Sequence, residues 1–154
     1  VPFAEQVPGA RWWPRLQRLA LDGNRAEGIA SGGYRAGQTG PVLQVGDWTV
    51  GLMICFESVF AGPAQRAVSA GADVLVVLAQ SGWWGRTPGF EQHFAFSRLR
   101  AIETRRPVAM VTVNGRTGWI GPDGRTVAEL GWMRRGGIRV RWSPSGRSAQ
   151  VAVH

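Results

Sequence analysis

The feature of this sequence that most constrains its fold is an alternation of apolar, strand-length runs with two helical segments. These segments are, in chain order, residues 48–55 (strand), 63–70 (helix), 73–79 (strand), 90–104 (helix) and 108–113 (strand). Strands that are connected through helices run parallel, and the helices pack against the sheet. The unbroken apolar run at residues 73–79 is typical of a strand that is covered on both faces. We therefore predict an α/β layered fold.

Shorter strand-like runs flank this alternation and predict mixed strand directions at the end of the sheet. They occupy residues 42–45, 117–120, 126–130, 138–142 and 149–153. Four apolar residues of the second helix are expected in the core: Phe90, Phe94, Leu99 and Ile102. Three arginines in and after that helix are expected to face solvent: Arg98, Arg100 and Arg105. Residues 1–41 carry proline and glycine at short intervals and indicate a loop-rich arm.

The basic residues of the chain are all arginine. The formal net charge is +8, and the 18 basic positions contain no lysine. Two interpretations stay open: a coding preference that leaves a solvated surface, or a basic face for anions such as nucleic acid or phospholipid headgroups. Because the arginines are spread from Arg11 to Arg147 and no nucleic-acid-binding motif is present, we expect no nucleic-acid partner. No apolar run is long enough to span a membrane.

The first candidate for chemistry is Cys55, the only cysteine, so an intrachain disulfide is excluded. It ends an apolar run and precedes a turn into a helix, in the segment Gly51 to Ser58 (GLMICFES). Nucleophiles often occupy this position, because a sharp turn exposes the side chain and directs backbone N–H groups toward it. The alternative is a small buried hydrophobic residue. Glu57 is a catalytic partner, a structural hydrogen-bond acceptor or a surface carboxylate.

Histidine is the usual base for a cysteine nucleophile, and the sequence has only His93 and His154. His154 is the last residue, and His93 lies in the second helix, where a structural role is the simpler interpretation. A Cys–His protease remains an alternative. No cluster of His, Cys, Asp or Glu has metal-ligand spacing, and no phosphate-binding loop is present. We therefore expect neither a metal nor a cofactor.

Several segments, taken in order, resemble one family of enzymes. They are residues 1–8 (VPFAEQVP), 50–57 (VGLMICFE), 83–85 (WWG), 91–103 (EQHFAFSRLRAIE), 114–118 (NGRTG) and 121–124 (GPDG). Together they resemble the carbon-nitrogen hydrolase (nitrilase) superfamily, and within it the C-terminal part of the catalytic domain of bacterial apolipoprotein N-acyltransferases. The resemblance implies an α-β-β-α sandwich that is incomplete at the N-terminus. It implies one partial domain over residues 1–154, divided into the arm (1–41), a core match (42–130) and a tail (131–154) unlike the family's usual ending.

The family uses a Glu-Lys-Cys triad, and the resemblance implies that Cys55 is the nucleophile. The triad Glu and Lys lie upstream of the V-P-F-x-E stretch in the family, so we expect this chain to be a fragment that is inactive by itself. With that Lys, the backbone N–H of Phe56 would hold the oxyanion. Glu5 matches a second family carboxylate, which would position the Lys or the incoming amine, and Glu57 belongs to the nucleophile motif.

The resemblance also implies which residues contact the substrates. Trp83 and Trp84 would flank the acyl entrance, and Arg86 would meet a phosphate headgroup; ordinary core packing and a solvated loop charge are the alternatives. The implied partners are a phospholipid acyl donor, an apolipoprotein N-terminal cysteine as acceptor, and a membrane reached through segments outside this chain. The implied location is the bacterial inner (cytoplasmic) membrane, with the catalytic domain on its extracytoplasmic face.

The implied reaction moves an acyl chain from a phospholipid to the N-terminal amino group of an apolipoprotein, through a thioester on Cys55. A first alternative is a soluble nitrilase-type amidase that uses the same cysteine to hydrolyse small C–N bonds. A second alternative is a non-enzymatic basic binding module, in which alkylation of Cys55 would leave every measurable property unchanged.

Overall fold

The computed structural model describes residues 42–82, 87–143 and 146–153. A six-stranded sheet contains, in both chain and spatial order, β1 (Val42–Val45), β2 (Trp48–Ile54), β3 (Val74–Ala79), β4 (Val108–Thr112), β5 (Thr117–Ile120) and β6 (Thr126–Leu130). The helices are a 3₁₀ helix (Cys55–Val59), α1 (Ala61–Ser69) and α2 (Gly89–Thr104). Two further strands, β7 (Ile138–Ser143) and β8 (Gly146–Val153), form a separate antiparallel hairpin. The arm predicted at residues 1–41 lies outside the described residues.

The three central strands of the larger sheet are parallel, and the outer ones are antiparallel to their neighbours. β2 pairs in parallel with β3, and β3 with β4, whereas β1, β5 and β6 each add an antiparallel ladder. The sequence-based prediction of an α/β fold with mixed strand directions is thereby confirmed. At the carboxyl edge Ile54 is in register with Leu78, and Leu78 with Val111. The segments that follow these three strands therefore begin at a common edge of the sheet.

One face of the sheet carries both helices and contains the main core. Met53, Leu75, Val77 and Met110 point into it and are fully or almost fully buried, together with Phe94 of α2. Both crossovers put their helix on this face, as parallel strand–helix–strand units do when they share one hand. Burying such side chains is the main stabilising contribution, on the order of 1.5–3 kcal/mol each.

Helix α1 approaches β2 very closely at a glycine. A Cβ on Gly51 would lie 2.7 Å from the Cβ of Ala67 and 2.7 Å from a methyl carbon of Leu75. Ala67 is fully buried at this contact, and Ala64 on the same helix is also fully buried. The small residues let α1 lie directly on the strand that leads to Cys55, so the position of this strand is set by tight packing.

The opposite face of the sheet is apolar and exposed among the described residues. Six side chains on β1 to β4 share this face and are 39–55% exposed: Leu43, Val45, Leu52, Ile54, Leu78 and Val111. They alternate with the buried positions along each strand, as the pleat requires. These strands therefore carry apolar residues on both faces, which is the pattern of a sheet that is covered on both sides.

The inward face of α2 differs from the one that apolar spacing predicts. Phe94 is buried as expected, but Leu99 and Ile102 are 45% and 49% exposed, so their assignment to the core was wrong. Apart from Phe94, the buried residues of α2 are small or polar: His93, Ser97, Arg100 and Ala101. Small side chains let the helix backbone approach the sheet, and this gain in packing outweighs burying the larger residues on the neighbouring face.

Arg100 was predicted to face solvent and is instead only 5% exposed. Its guanidinium donates one hydrogen bond to the carbonyl oxygen of Val59 at 3.1 Å and another to the carboxylate of Glu103 at 2.9 Å. The buried charge is stabilised by this carboxylate and this carbonyl, which explains how an arginine occupies the inner face. Arg100 thereby ties α2 to the end of the 3₁₀ helix. Arg98 and Arg105 are exposed as predicted.

Candidate active site

Cys55 lies at the carboxyl end of β2, where the chain turns from strand into the 3₁₀ helix. Its φ is +48°, in the left-handed region that residues other than glycine seldom occupy. The sequence predicts a strand up to residue 55, and the structure ends it at Ile54 because this left-handed conformation breaks the extended backbone. Cys55 is half-buried and packs partly against the core. Strained positions of this kind are concentrated at functional sites.

The carboxylate of Glu57 stabilises this turn. Its Oε2 accepts a hydrogen bond of 2.8 Å from the backbone N–H of Ile54. The contact spans Cys55, since donor and acceptor belong to the residues before and after the Cys55–Phe56 pair. This hydrogen bond gives Glu57 one of the three roles open from the sequence, that of a structural acceptor, whereas its catalytic role stays a prediction.

Two buried side chains hold the carbonyl group of Cys55 from the inside. His93 Nε2 lies 2.9 Å from this oxygen and 2.8 Å from Oγ of Ser58. The Ser58 hydroxyl also donates to the same carbonyl at 3.2 Å. Ser58 is fully buried and His93 is 2% exposed. The three residues therefore form a compact polar cluster under the turn.

The protonation state of His93 follows from this cluster. Burial lowers the pKa of the imidazole from its ordinary value of 6.5, and the hydrogen bond to the Cys55 carbonyl offsets only part of that effect. The ring is therefore neutral at pH 7. Because a carbonyl oxygen only accepts, the network assigns the proton to Nε2. With Nε2 occupied by the backbone, the structural role open from the sequence fits the geometry better than that of a base for the thiol.

The loops that follow β3 and β4 meet at the same edge of the sheet. A Cβ on Gly115 would lie 2.6 Å from Oγ of Ser81, and one on Gly82 would lie 2.8 Å from Nδ2 of Asn114. Glycine at both positions lets the two loops touch. Oγ of Ser81 is buried and has no hydrogen-bond partner within the described part of the chain. The segment NGRTG, singled out by the family resemblance, thus lies beside the loop that leads to Trp83.

Arg116, in the loop after β4, connects this edge of the sheet to α2. Its guanidinium pairs with Glu91 of α2 and with Glu129 of β6, and it lies 4.3 Å from the centre of the Phe94 ring. Glu91 and Phe94 belong to α2 and Glu129 to β6, so Arg116 connects two elements. Burial alone would lower the pKa of Arg116, but its contacts with Glu129 and Glu91 outweigh this and raise it.

Of the remaining predicted site residues, Phe56 lies within the part of the chain that the structure describes. The Phe56 side chain is 37% exposed and packs edge to face against Phe60. Four others lie outside the described residues: Glu5, Trp83, Trp84 and Arg86. The described ranges contain no group of three or more potential metal ligands, and none of their helices has the length and apolarity for a membrane span.

Sequence reasoning did not single out Ser58 or Arg116. The signal for Ser58 is a hydroxyl residue three positions after the cysteine in an apolar turn, which is the spacing of a hydrogen bond across one helical turn. For Arg116 no local signal exists, because its partners are 25 and 13 residues away in the chain.

Comparison with known proteins identifies a matching family model and curated relatives. Residues 9–144 match the family model described as carbon-nitrogen hydrolase. Curated relatives named apolipoprotein N-acyltransferase include those of Chlorobaculum tepidum, 34% identical over 140 residues, and Sinorhizobium medicae, 37% identical over 137 residues. These matches cover 88% of this chain and 25% of each relative. The chain therefore spans about a quarter of the length of the curated relatives it matches.

Similar solved structures agree with this chain in fold. A carbon-nitrogen hydrolase from Helicobacter pylori G27 has a TM-score of 0.60 at 15% identity, over 66% of this chain and 43% of that one. An amidase mutant from Nesterenkonia sp. AN1, which shows Michael addition of acrylamide at its active site cysteine, has a TM-score of 0.53 at 23% identity, over 64% and 41%. On the family match and the shared fold, the chain belongs to the carbon-nitrogen hydrolase family.

Proposed function

We propose that this chain carries the nucleophile of an N-acyltransferase that moves an acyl chain from a phospholipid to the N-terminal amino group of an apolipoprotein. The curated relatives that carry this name support the proposal, since they match over most of this chain. The observation that carries the assignment of the nucleophile is the left-handed turn at Cys55, at the carboxyl end of a parallel strand.

The proposed first step is transfer of the acyl chain to the enzyme. The Cys55 thiolate attacks the ester carbonyl carbon, the C–S bond forms, and the ester C–O bond breaks. The proton that the general base took from the thiol passes to the leaving oxygen of the lysophospholipid. The family's Glu would be this base, and its Lys would stabilise the oxyanion with the N–H of Phe56. No lysine occurs in this sequence, so we expect the complete reaction only in a protein that supplies both groups.

The proposed second step forms the product amide. The amino group attacks the thioester carbonyl carbon, the C–N bond forms and the C–S bond breaks. The base removes the amine proton, and the Cys55 thiolate is restored. A thioester suits this step because it reacts with amines far more readily than the original ester does, so that one difficult transfer becomes two easier ones.

The other predicted site residues take supporting roles in this proposal. Glu57 shapes the turn through the N–H of Ile54. Glu5 would position the Lys or the amine, Trp83 and Trp84 would flank the acyl chain, and Arg86 would contact the phosphate of the donor. The inner membrane, with catalysis on its extracytoplasmic face, is the location that fits these substrates.

The second candidate is an amidase that hydrolyses small C–N bonds, and the observation in its favour is the fold shared with the Nesterenkonia amidase. That similarity is limited to the fold, because the identity is 23%. The curated relatives favour the acyltransferase. The two activities differ in the acceptor for the acyl group, which is an amine in one and water in the other.

The test uses the full-length protein that carries this sequence, with phospholipid vesicles and a peptide whose N-terminal cysteine is diacylglyceryl-modified. We expect mass spectrometry to detect acylation of the peptide amino group, and we expect Cys55→Ala to abolish it while thermal unfolding stays unchanged. Release of ammonia from a small amide without peptide acylation would support the amidase. Undiminished peptide acylation by Cys55→Ala would refute the proposed nucleophile.

A further inference from the structure

The peptide group between Cys55 and Phe56 is held firmly on its carbonyl side. The oxygen receives one hydrogen bond from Nε2 of His93 at 2.9 Å and one from the hydroxyl of Ser58 at 3.2 Å. A carbonyl oxygen has two lone pairs, so both are used. The Ser58 hydroxyl donates its own proton to this oxygen, and the single proton on Nε2 of His93 is shared between the carbonyl and Oγ of Ser58, 2.8 Å away.

The other end of this peptide group is the N–H of Phe56. The peptide bond is planar and the described backbone contains no cis peptide bond, so C=O and N–H point in opposite directions. Holding the oxygen toward the buried cluster therefore directs the N–H away from it. The thiol of Cys55 leaves the backbone beside this same peptide group.

We propose that His93 and Ser58 are positioning residues, which fix the Cys55–Phe56 peptide so that its N–H is preset for the oxyanion of the acyl-transfer step. The proposal rests on the proposed function, in which Cys55 forms a thioester. A donor whose direction is fixed before reaction stabilises the developing charge without reorganisation, and such donors are among the strongest contributions to acyl transfer.

The residues around His93 and Ser58 restrict the movement of the peptide whose N–H is the proposed oxyanion donor. His93 and Ser58 are both excluded from water, and α2 carries the histidine while the 3₁₀ helix carries the serine. Arg100 links the same two helices through the carbonyl of Val59. The orientation of the peptide therefore depends on how α2 packs against the 3₁₀ helix.

The test compares two reactions of the same thiol in the full-length protein. The first is the burst of p-nitrophenolate released when a p-nitrophenyl fatty acid ester acylates Cys55, a reaction that develops an oxyanion. The second is alkylation by iodoacetamide, in which iodide is displaced and no oxyanion forms. A group that positions the oxyanion donor affects the first reaction and spares the second, whereas general loosening of the fold affects both.

We expect His93→Leu to slow acylation about 10- to 100-fold, since loss of one oxyanion donor in other enzymes costs on the order of 10²–10³-fold. Alkylation should stay within about twofold of the parent protein, since its transition state makes no use of that donor. Ser58→Ala should give a smaller loss of the same kind. His93→Gln, whose amide NH₂ reaches the place of Nε2, should recover much of the rate.

The matched control is Ser97→Ala. Ser97 is also buried on α2, but its hydroxyl contacts the carbonyl of His93 and the sulfur of Met110 rather than the Cys55 peptide. This variant should leave both reactions unchanged. If His93→Leu fails to fold, Ser58→Ala decides the outcome by the same comparison of acylation with alkylation.

The experiment distinguishes a failure of the proposed function from a failure of the positioning role. A burst in the parent protein that Cys55→Ala leaves in place would refute the proposed function, and this inference with it. A burst that requires Cys55 but keeps the parent rate in His93→Leu and Ser58→Ala would overturn the positioning role alone. Parallel losses of acylation and alkylation would also overturn it, because they indicate a role in the fold only.

Discussion

The carboxylate of Glu57 accepts a hydrogen bond from the backbone N–H of Ile54, 2.8 Å away, across the residue that carries the only thiol of the chain. Below the same turn, His93 and Ser58 hold the carbonyl of Cys55. The left-handed backbone of Cys55 is thus supported by one contact on its N-terminal side and two on its C-terminal side. Conformations of this kind persist only where the surrounding contacts impose them.

Removing the carboxylate of Glu57 should therefore relax the turn. We expect Glu57→Ala to lower the free energy of unfolding by about 1 kcal/mol, the typical value of a side-chain cap of a backbone N–H. Glu57→Gln keeps an oxygen at the acceptor position and should lose less than half of that. Chemical denaturation followed by tryptophan fluorescence measures both, and equal losses in the two variants would contradict the proposed contact.

A methyl group at Gly51 should destabilise the contact of α1 with β2. Its Cβ would meet carbon atoms at 2.7 Å on Ala67 and Leu75, and overpacking of this kind costs about 1–3 kcal/mol. The control is Gly131→Ala, because nothing lies within 4 Å of a Cβ there. Denaturant midpoints compare the two, and a Gly51→Ala variant as stable as its control would show that the helix does not pack so closely.

Stability should depend on pH through His93. Its pKa is lowered in the folded protein by burial, so the unfolded state binds the proton more readily. Folding stability should be constant above pH 7 and should fall as the pH drops below the unfolded value of about 6.5, with a limiting slope of about 1.4 kcal/mol per unit. Unfolding curves between pH 5 and pH 8 measure it. His93→Gln should remove this slope from the plot of unfolding free energy against pH. An unchanged plot would show that another group causes the pH dependence.

Arg116 should contribute more to stability than an ordinary surface arginine. Its two ion pairs involve half-exposed carboxylates and are worth roughly 0.2–1 kcal/mol each, and its position over Phe94 adds about 0.5–1 kcal/mol. We expect Arg116→Ala to lose about 1–2 kcal/mol, and Arg116→Lys to recover little because one ammonium cannot pair with both carboxylates in the same way.

Arg125 is the control for this comparison. Its pair with Asp123 is 3.5 Å long and both side chains are largely exposed, so Arg125→Ala should change stability by less than about 0.5 kcal/mol. Urea denaturation at low and high salt separates the ion pairs from the ring contact. Equal effects at the two arginines would contradict the role given to Arg116.

Sequence patterns predicted the strands and helices well in segments whose length and composition fit only one type of secondary structure. The run at residues 73–79 is too short and too rich in valine for a helix, and it forms β3. Small errors arose at boundaries that local chemistry decides: β2 ends before Cys55 because of its positive φ, and α1 begins at Ala61 instead of residue 63. Such details depend on the backbone at single residues.

The packing of α2 could not be predicted in the same way. Its apolar residues occur on more than one side, so the spacing does not show which side faces the sheet. Leu99 was predicted to be buried and is exposed, whereas Arg100 was predicted to be exposed and is buried. The cluster of Ser58 and His93 depends on that choice, because the two residues are 35 positions apart. Cys55 was identifiable because its motif is contiguous, whereas the contacts that hold its peptide are formed only by the fold.

The most direct measurement is the identity of the acylated atom. Full-length protein carrying this sequence is incubated with phospholipid in the absence of an acceptor peptide, digested, and analysed by mass spectrometry. We predict a mass increase of one acyl chain on the peptide that contains Cys55, which neutral hydroxylamine removes as it does from a thioester. Cys55→Ala incubated in the same way should show no such increase. An acyl chain on another residue, or the same hydroxylamine-sensitive mass increase in Cys55→Ala, would contradict it.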